Sequence, residues 1–330
     1  METVWDLADA DLDASVQAIL ADTEALLRDG VASADPLVTE AAQHLTTAGG
    51  KRFRPLLVAL GGQFGDPRLP DLPRAAAVVE LTHQATLYHD DVMDEAPVRR
   101  GAPSAHSRWS NSVAILAGDY LFACAADLAA DLGLEAVRVQ ARTLSRLVHG
   151  QIAETAGPRG ADPVHHYLRV VADKTASLIN TAARFGGMYS DAGLAVTEAL
   201  AAFGEAIGVA FQLSDDLLDI ASERAESGKT PGTDLREGIP TLPVLYARAS
   251  GDADAGSVRL RQILAAGAIT DEAQLAEALE LLRESTALKR AREAVRWRAE
   301  HARAQLAPLP DNPARRALAA LCDTVVDRTG

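Results

Sequence analysis

An acidic pattern in an apolar setting is the first feature of this chain that could do chemistry. Asp90, Asp91 and Asp94 lie in a run without Gly or Pro, among Val, Leu, Ala and Tyr residues, as in a largely buried helix. Residues four apart share a helix face, so Asp90 and Asp94 point the same way and Asp91 lies to one side. Oxygen donors without an organised Cys or His set favour Mg²⁺, which completes its shell with water and phosphate oxygens. For this cluster alone, a solvated acidic face remains an open alternative.

A second copy of the pattern strengthens the metal interpretation. Gln212, Asp215 and Asp219 fall on one stripe of another apolar helix, with Asp216 beside them. Two such motifs facing each other across a helical bundle would chelate several Mg²⁺, and a diphosphate could bridge those ions. Heterolysis of a C–O bond requires a neutralised diphosphate, because charge develops on the departing oxygens. Apolar helices below would keep water away from a hydrocarbon chain and its carbocation.

Basic residues suited to phosphate accompany the first motif. Arg99 and Arg100 follow it, and His83 shares the helix stripe of its acids. The run Gly49-Gly50-Lys51-Arg52-Phe53-Arg54-Pro55 opens an apolar helix, where exposed amides and cations make a plausible anion site. Taken by itself, this run is at least as well explained as a loop with solvated cations.

Composition limits the class of protein. The 330 residues are 48% apolar, only 4% aromatic, and carry a formal net charge of −14, which argues against a nucleic-acid binder or a polybasic membrane anchor. Cys124 and Cys322 lie far apart and do not have the spacing of a metal-binding motif, so they indicate a reducing compartment. The first residues lack a signal-peptide layout, and we expect no apolar run of membrane-spanning length. A soluble, cytoplasmic protein is expected.

Helical periodicity predicts the architecture. It places helices at about residues 6–28, 36–45, 55–64, 74–96, 111–131, 134–155, 163–175, 195–222 and 241–249, with two or three more beyond 256. No segment has a convincing strand pattern, and no composition break marks a boundary. We therefore predict an all-α fold with a single domain over 1–330. The Gly- and Pro-containing stretch 222–240 is predicted to be a mobile lid.

Several ordered motifs resemble those of the trans-isoprenyl diphosphate synthases, the polyprenyl synthetases, over most of the chain. The matching pieces are Gly49 to Pro55, Leu87 to Glu95, Arg99-Arg100-Gly101, Ala117-Gly118-Asp119, Lys174-Thr175, Phe211 to Asp219, Gly228-Lys229, Asp234 to Gly238 and Thr241-Leu242-Pro243. Gly150-Gln151 departs slightly, because relatives often have Gly-Glu there. The resemblance implies an all-α bundle around a deep central cavity, usually as a homodimer that is soluble and delivers its product to a membrane.

The resemblance also implies roles for individual residues. Two Mg²⁺ would be held by Asp90 and Asp94, helped by Asp91. A third Mg²⁺ would be held by Asp215, with Asp216 and Asp219 nearby. The allylic prenyl diphosphate would be bound by Arg99, Lys174 and Lys229, and isopentenyl diphosphate by Lys51, Arg54, His83 and Arg100. Thr175 and Gln212 would steady the allylic cation with their oxygen dipoles. Ionisation, condensation and elimination would lengthen the chain by one five-carbon unit per cycle.

Product length is expected to depend on the turn before the first motif. Ala85 and Thr86 are small, where short-chain relatives typically carry Phe or Tyr, so we expect a medium or long polyprenyl product. Small residues for tight helix packing are the alternative explanation. A farnesyl or geranylgeranyl diphosphate synthase, a class I terpene cyclase, a non-catalytic partner subunit and a helical metal-binding scaffold remain as other functions.

Overall fold

The computed structural model describes residues 7–221 and 231–328. Apart from one short ribbon and a π-helical turn at Ala172–Ala176, the regular structure of these residues is α-helical. The helices are α1 Ala10–Asp29, α2 Pro36–Thr47, α3 Phe53–Gly62, α4 Asp71–Met93, α5 Ala105–Arg108, α6 Asn111–Asp131, α7 Leu134–Ala156, α8 Pro163–Val171, α9 Ser177–Met188, α10 Leu194–Ala221, α11 Thr233–Glu237, α12 Leu242–Ala249, α13 Ala255–Ala265, α14 Glu272–Glu284, α15 Thr286–Gln305 and α16 Pro313–Asp327. The prediction of an all-α fold is confirmed.

The helix starts follow local capping chemistry. A side-chain oxygen before the helix accepts a hydrogen bond from a first-turn amide, which leaves fewer amides unsatisfied. The residues that do this are Asp9, Asp35, Ser110, Asp162, Asp254, Asp271 and Ser285. The predicted helix from Pro163 through Thr175 is instead α8 followed by the π-helical turn.

A ribbon after α4 was not predicted. Strands β1 (Val98–Arg99) and β2 (Ala102–Pro103) pair antiparallel, with Arg99 opposite Ala102. Arg100 and Gly101 connect them with φ of 53° and 77°, as a two-residue hairpin turn with two positive φ values requires. The strands are too short for an alternating pattern, so the sequence carried no signal for them.

The chain divides into two compact units. The first comprises Met1–Ser145, Leu178–Gly204 and Pro308–Leu318. In it, α4 packs against α1, α3 and α6, and Tyr88 of α4 donates a 2.5 Å hydrogen bond to the carbonyl of Ala41 in α2. This packing fixes the helix that carries the first acidic motif.

The second unit comprises Arg146–Ser177, Glu205–Ala307 and Ala319–Gly330. In it, α12 packs against α8, α13 and α15. Its part of α10 carries the second acidic motif. The single-domain interpretation stays a prediction.

Among the described residues, two helices, α6 and α10, are long and apolar enough to span a membrane by length and composition, so the expectation that no run reaches that length is wrong. Within the apolar windows, 33% of α6 and 56% of α10 is buried. Core helices pass the same test, and α10 carries three aspartates near its end, so the finding is weak evidence for membrane insertion.

Candidate active site

The first acidic motif lies at the end of α4. Asp94 caps the helix and donates its amide to the carbonyl of Asp90 at 2.8 Å. Asp94 is exposed and Asp90 half-buried, whereas Asp91 has no exposed surface. The helix therefore separates the acids as its pitch requires, with the pair four apart on the outer side and the acid between them turned inward.

Arg99 on β1 holds the inward acid. Its Nε donates to Asp91 Oδ1 at 2.6 Å, and Oδ2 is buried with no hydrogen-bond partner among the described residues. Burial raises the pKa of Asp91, while Arg99 opposes the rise. The sequence assigned Asp91 to Mg²⁺ and Arg99 to the allylic diphosphate, but here the two bind each other.

The Gly-rich basic run divides its cations between solvent and core. Lys51 is exposed, whereas Arg52, with a φ of 48°, turns its side chain inward. Arg52 donates to Glu24 at 2.5 Å and to Glu80 at 3.0 Å, and its side chain is 6% exposed. The buried ion pairs anchor the run between α1 and α4.

Arg100 packs against the same Gly-rich run. It donates to the carbonyls of Gly49 at 2.5 Å and Leu45 at 3.0 Å, and it lies 3.6 Å from Glu80. A Cβ on Gly50, whose φ is +149°, would lie 3.0 Å from the Arg100 guanidinium carbon. Glycine at this position therefore lets the arginine pack directly on the backbone.

His83 faces this group of cations. Burial is the largest cause that lowers its pKa well below the usual 6.5, and the charges of Arg54, Arg100 and Arg99 lower it further. The imidazole is therefore neutral at physiological pH. The surrounding positive charge is suited to a multiply charged anion.

In the second unit, the π-helical turn presents Lys174 and Thr175. A Cβ on Gly150 of α7 would lie 2.5 Å from the Lys174 amide nitrogen, so glycine allows the two backbones to approach. Lys174 donates to Glu154 on α7. π-Helical turns often occur at functional sites, and Lys174 and Thr175 both lie on this one.

The second acidic motif has three differently bound carboxylates. Asp215 accepts a hydrogen bond from Arg328 near the end of α16. Asp219 accepts from the backbone amides of Thr233 at 3.1 Å and Asp234 at 3.0 Å, which ties α10 to the start of α11. Each of these two acids therefore already has a partner within the second unit.

Asp216 is buried and accepts from Tyr167 and from Gln212, the latter at 2.8 Å. Gln212 in turn accepts from Thr175 at 2.9 Å. Burial is the largest cause that raises the pKa of Asp216 to about 6.

The remaining predicted residues are Ala85, Thr86 and Lys229. Ala85 is fully buried in a core cluster with residues of α6, and Thr86, partly exposed, donates to the His83 carbonyl. Lys229, with residues 222–230 of the predicted lid, lies outside the described residues. The site roles given to individual residues stay predictions.

Sequence reasoning missed Arg52, Glu80, Tyr167, Glu154 and Arg328. Arg52 lies inside a recognised motif, so its charge was visible although its direction was not. The others have no local signal, because each contact joins segments distant in the chain.

The donor set fits a hard divalent cation. Carboxylate oxygens are the ligands Mg²⁺ takes, and the buried Oδ2 of Asp91 is an acceptor without a partner in the described part of the chain. No group of three or more His, Cys, Asp or Glu residues among residues 7–221 and 231–328 is arranged as a metal site. A cation here would therefore depend on oxygens from water and a bound phosphate group.

Comparison with known proteins identifies the family. The model of the polyprenyl synthetase family matches residues 35–282. The chain belongs to this family and is a transferase.

Individual relatives cover nearly the whole chain. A nonaprenyl diphosphate synthase of Mycobacterium tuberculosis is 51% identical over 98% of this chain and 97% of its own. The crystal structure of a geranylgeranyl pyrophosphate synthase from Corynebacterium glutamicum, complexed with calcium and isoprenyl diphosphate, matches with a TM-score of 0.87 and 43% identity over 98% of both chains. A decaprenyl diphosphate synthase from Rhodobacter capsulatus matches with a TM-score of 0.87 and 36% identity, over 97% of this chain and 99% of its own.

Proposed function

We propose that the protein condenses isopentenyl diphosphate with an allylic prenyl diphosphate, such as farnesyl or geranylgeranyl diphosphate, to make an all-trans polyprenyl diphosphate of medium or long chain. The observation that carries this is the group of arginines around neutral His83, on the helix that ends in Asp90 and Asp94. Arginine guanidinium groups close to two carboxylates suit a diphosphate with its divalent cation. Family membership and the relatives' names support the same reaction.

The cation is proposed to be Mg²⁺. Asp90 and Asp94 would hold it at the first motif, and Asp215 and Asp219 at the second. When bound, Mg²⁺ would neutralise the charge that develops on a departing diphosphate. The related Corynebacterium crystal structure is a complex with calcium and isoprenyl diphosphate, which supports a divalent cation.

The residues of the chain would carry out the rest of the reaction. Lys51, Arg54, His83 and Arg100 would bind isopentenyl diphosphate, with His83 as a neutral hydrogen-bond donor. Lys174 and Arg99 would bind the allylic diphosphate after leaving Glu154 and Asp91, and Lys229 would join them. Thr175 and Gln212 would turn oxygens toward the allylic cation. The double bond of isopentenyl diphosphate would attack this cation, and the condensed cation would then lose a proton to the released diphosphate.

Product length would be limited near Ala85 and Thr86. The relatives named as nonaprenyl and decaprenyl synthases support a long product. Ala85→Phe is expected to shorten it, and an unchanged length distribution would remove Ala85 from the path of the chain.

The assembly would be a homodimer. Ile115 and Leu116 of α6 are 42% and 65% exposed, and Leu134 and Val137 of α7 are 65% and 37% exposed. Exposed apolar residues in sequence on consecutive helices favour a second copy as cover. Light scattering should give twice the chain mass, and Leu116→Asp should shift it toward the monomer; a monomeric wild type would contradict the proposal. The protein is proposed to be soluble in the cytoplasm and to release its product to a membrane.

One assay tests the function. Purified protein, Mg²⁺, labelled isopentenyl diphosphate and farnesyl diphosphate should give products longer than farnesyl, sized by chromatography. Asp90→Ala and Asp215→Ala should abolish turnover while the helical circular dichroism signal persists. Asp131→Ala, at the exposed end of α6, is the matched control and should keep wild-type rates. Near-normal rates in both motif variants would contradict the assigned roles.

A further inference from the structure

Asp216 differs from the other acids of its motif. It is only 7% exposed, and both of its carboxylate oxygens are used within the protein. The Tyr167 hydroxyl donates to Oδ2, and Gln212 Nε2 donates to Oδ1 at 2.8 Å. Each oxygen therefore already accepts one hydrogen bond from a side chain, one on α8 and the other on α10.

This carboxylate sets the direction of a hydrogen-bond chain. An ionised carboxylate can only accept, so Gln212 must present its NH₂ group to Asp216 and its carbonyl oxygen at the other end. That oxygen accepts from the Thr175 hydroxyl at 2.9 Å. The Thr175 proton is thereby committed to Gln212, and the lone pairs left over on the two oxygens carry partial negative charge.

We propose that Tyr167 and Asp216 are positioning residues, which orient Gln212 and Thr175 so that oxygens, and not amide protons, face the allylic cation. The inference rests on the proposed function, which gives Gln212 and Thr175 that role. A Gln212 amide turned by 180° would direct N–H dipoles at the cation and raise the barrier to ionisation. Asp216 then acts through other side chains and is not a metal ligand.

Two variants separate positioning from metal binding. In Asp216→Asn the new amide can offer either oxygen or N–H to Gln212, so the orientation is no longer enforced. We expect kcat to fall about 100-fold, while KM for both diphosphates and the half-saturating Mg²⁺ concentration stay within about twofold. Tyr167→Phe removes one hydroxyl and should lower kcat by about 3- to 10-fold with the same KM values.

A rescue variant tests the polarity of the chain directly. In the double variant Gln212→Glu/Asp216→Asn, the Asn amide can donate to the carboxylate introduced at position 212, which still accepts from Thr175. The carboxylate at position 212 thus again accepts from the Thr175 hydroxyl, although both residues have changed. The kcat of the double variant should therefore be about tenfold higher than that of Asp216→Asn alone. Tyr120→Phe removes a hydroxyl that donates to the Ala32 carbonyl at 3.3 Å in the first unit; as the control, it should leave kcat unchanged.

Readouts besides turnover make the outcome decisive. Calorimetric binding of inorganic pyrophosphate with Mg²⁺ should be the same in wild type and Asp216→Asn, and circular dichroism should report an intact fold. A rise of about tenfold or more in the Mg²⁺ requirement, with kcat restored at high Mg²⁺, would make Asp216 a ligand and overturn the inference. If Asp216→Asn fails to fold, Tyr167→Phe decides, and a wild-type kcat in that variant overturns the inference.

Comparing wild type with these variants also separates a failure of the positioning roles from a failure of the proposed function. An active wild type with unaffected variants overturns the positioning roles alone. A wild type that makes no prenyl product overturns the proposed function and the positioning roles with it.

Discussion

Replacing Arg52 should destabilise the first unit strongly. Its side chain is 6% exposed and pairs with Glu24, which is 16% exposed, and Glu80, which is 3% exposed. It also donates to the Thr46 carbonyl at 3.1 Å. Arg52→Met keeps the apolar stem but leaves Glu80 as a buried charge with a weaker set of partners.

The magnitude follows from what remains around Glu80. Removing one partner of a buried pair costs about 3–5 kcal/mol. Arg100 at 3.6 Å and Gln84 at 3.1 Å still contact Glu80, and Glu24 can regain some water. We therefore expect the lower end, about 3 kcal/mol in the free energy of unfolding, measured by urea denaturation with circular dichroism at 222 nm.

A matched control and a second substitution sharpen the experiment. Arg68 also pairs with an acid, Asp66 at 2.9 Å, but its side chain is 87% exposed, so Arg68→Met should leave the free energy of unfolding close to that of the wild type. Adding Glu80→Gln to Arg52→Met removes the unpaired charge and should recover about 1–2 kcal/mol. A loss for Arg52→Met no larger than for Arg68→Met would refute the reasoning.

Three further perturbations follow from single contacts. Gly118→Ala would place a Cβ 2.4 Å from His89 Nε2 and should destabilise the fold by about 1–3 kcal/mol. Adding His89→Ala should recover part of this loss, as measured by denaturant unfolding of both single variants and the double variant. If the two losses simply add in the double variant, the clash is contradicted. Burial raises the pKa of Tyr88 from 10.0 to about 12, so the unfolded state loses this proton first and stability falls as pH rises from 10 to 12. The destabilisation caused by Tyr88→Phe should therefore shrink by about 2 kcal/mol between pH 9 and 11.5, and a constant gap in urea midpoints would argue against it. Burial also raises the pKa of the Cys322 thiol to about 12, so iodoacetamide at pH 8 should modify Cys322 only in urea, as mass spectrometry of its peptide would detect. Rapid labelling of Cys322 in the folded protein would contradict this.

The helices could be predicted because their signals are local. α4 has an uninterrupted apolar pattern, and α6 begins at Asn111 and ends at Asp131 as expected. The π-helical turn could not be predicted, since one extra residue per turn leaves apolar periodicity almost unchanged over five residues. The Arg100-Gly101 hairpin turn was missed because arginine is not among the residues that favour a positive φ.

The partners of the candidate site residues were beyond sequence reasoning for a different reason. Tyr167 lies 49 residues from Asp216, and Arg328 lies 113 residues from Asp215. Such contacts depend on which helices pack together. Within Lys51 to Arg54, composition shows three cations, but it does not show that Arg52 has a left-handed backbone and a buried side chain.

The carboxylates of the two acidic motifs are arranged in the same way, and helical geometry explains the arrangement. In each, the acids four residues apart lie on one face, and the acid between them is rotated by about 100° toward neighbouring elements. Asp91 consequently pairs with Arg99 at 2.6 Å, and Asp216 accepts hydrogen bonds from Tyr167 and Gln212. A buried carboxylate without such partners would be too costly to keep ionised, so the inward-turned acid of each motif needs partners inside the protein. In our proposal, the two acids four residues apart in each motif are the ones that meet a cation, and the middle aspartate binds side chains of the protein itself.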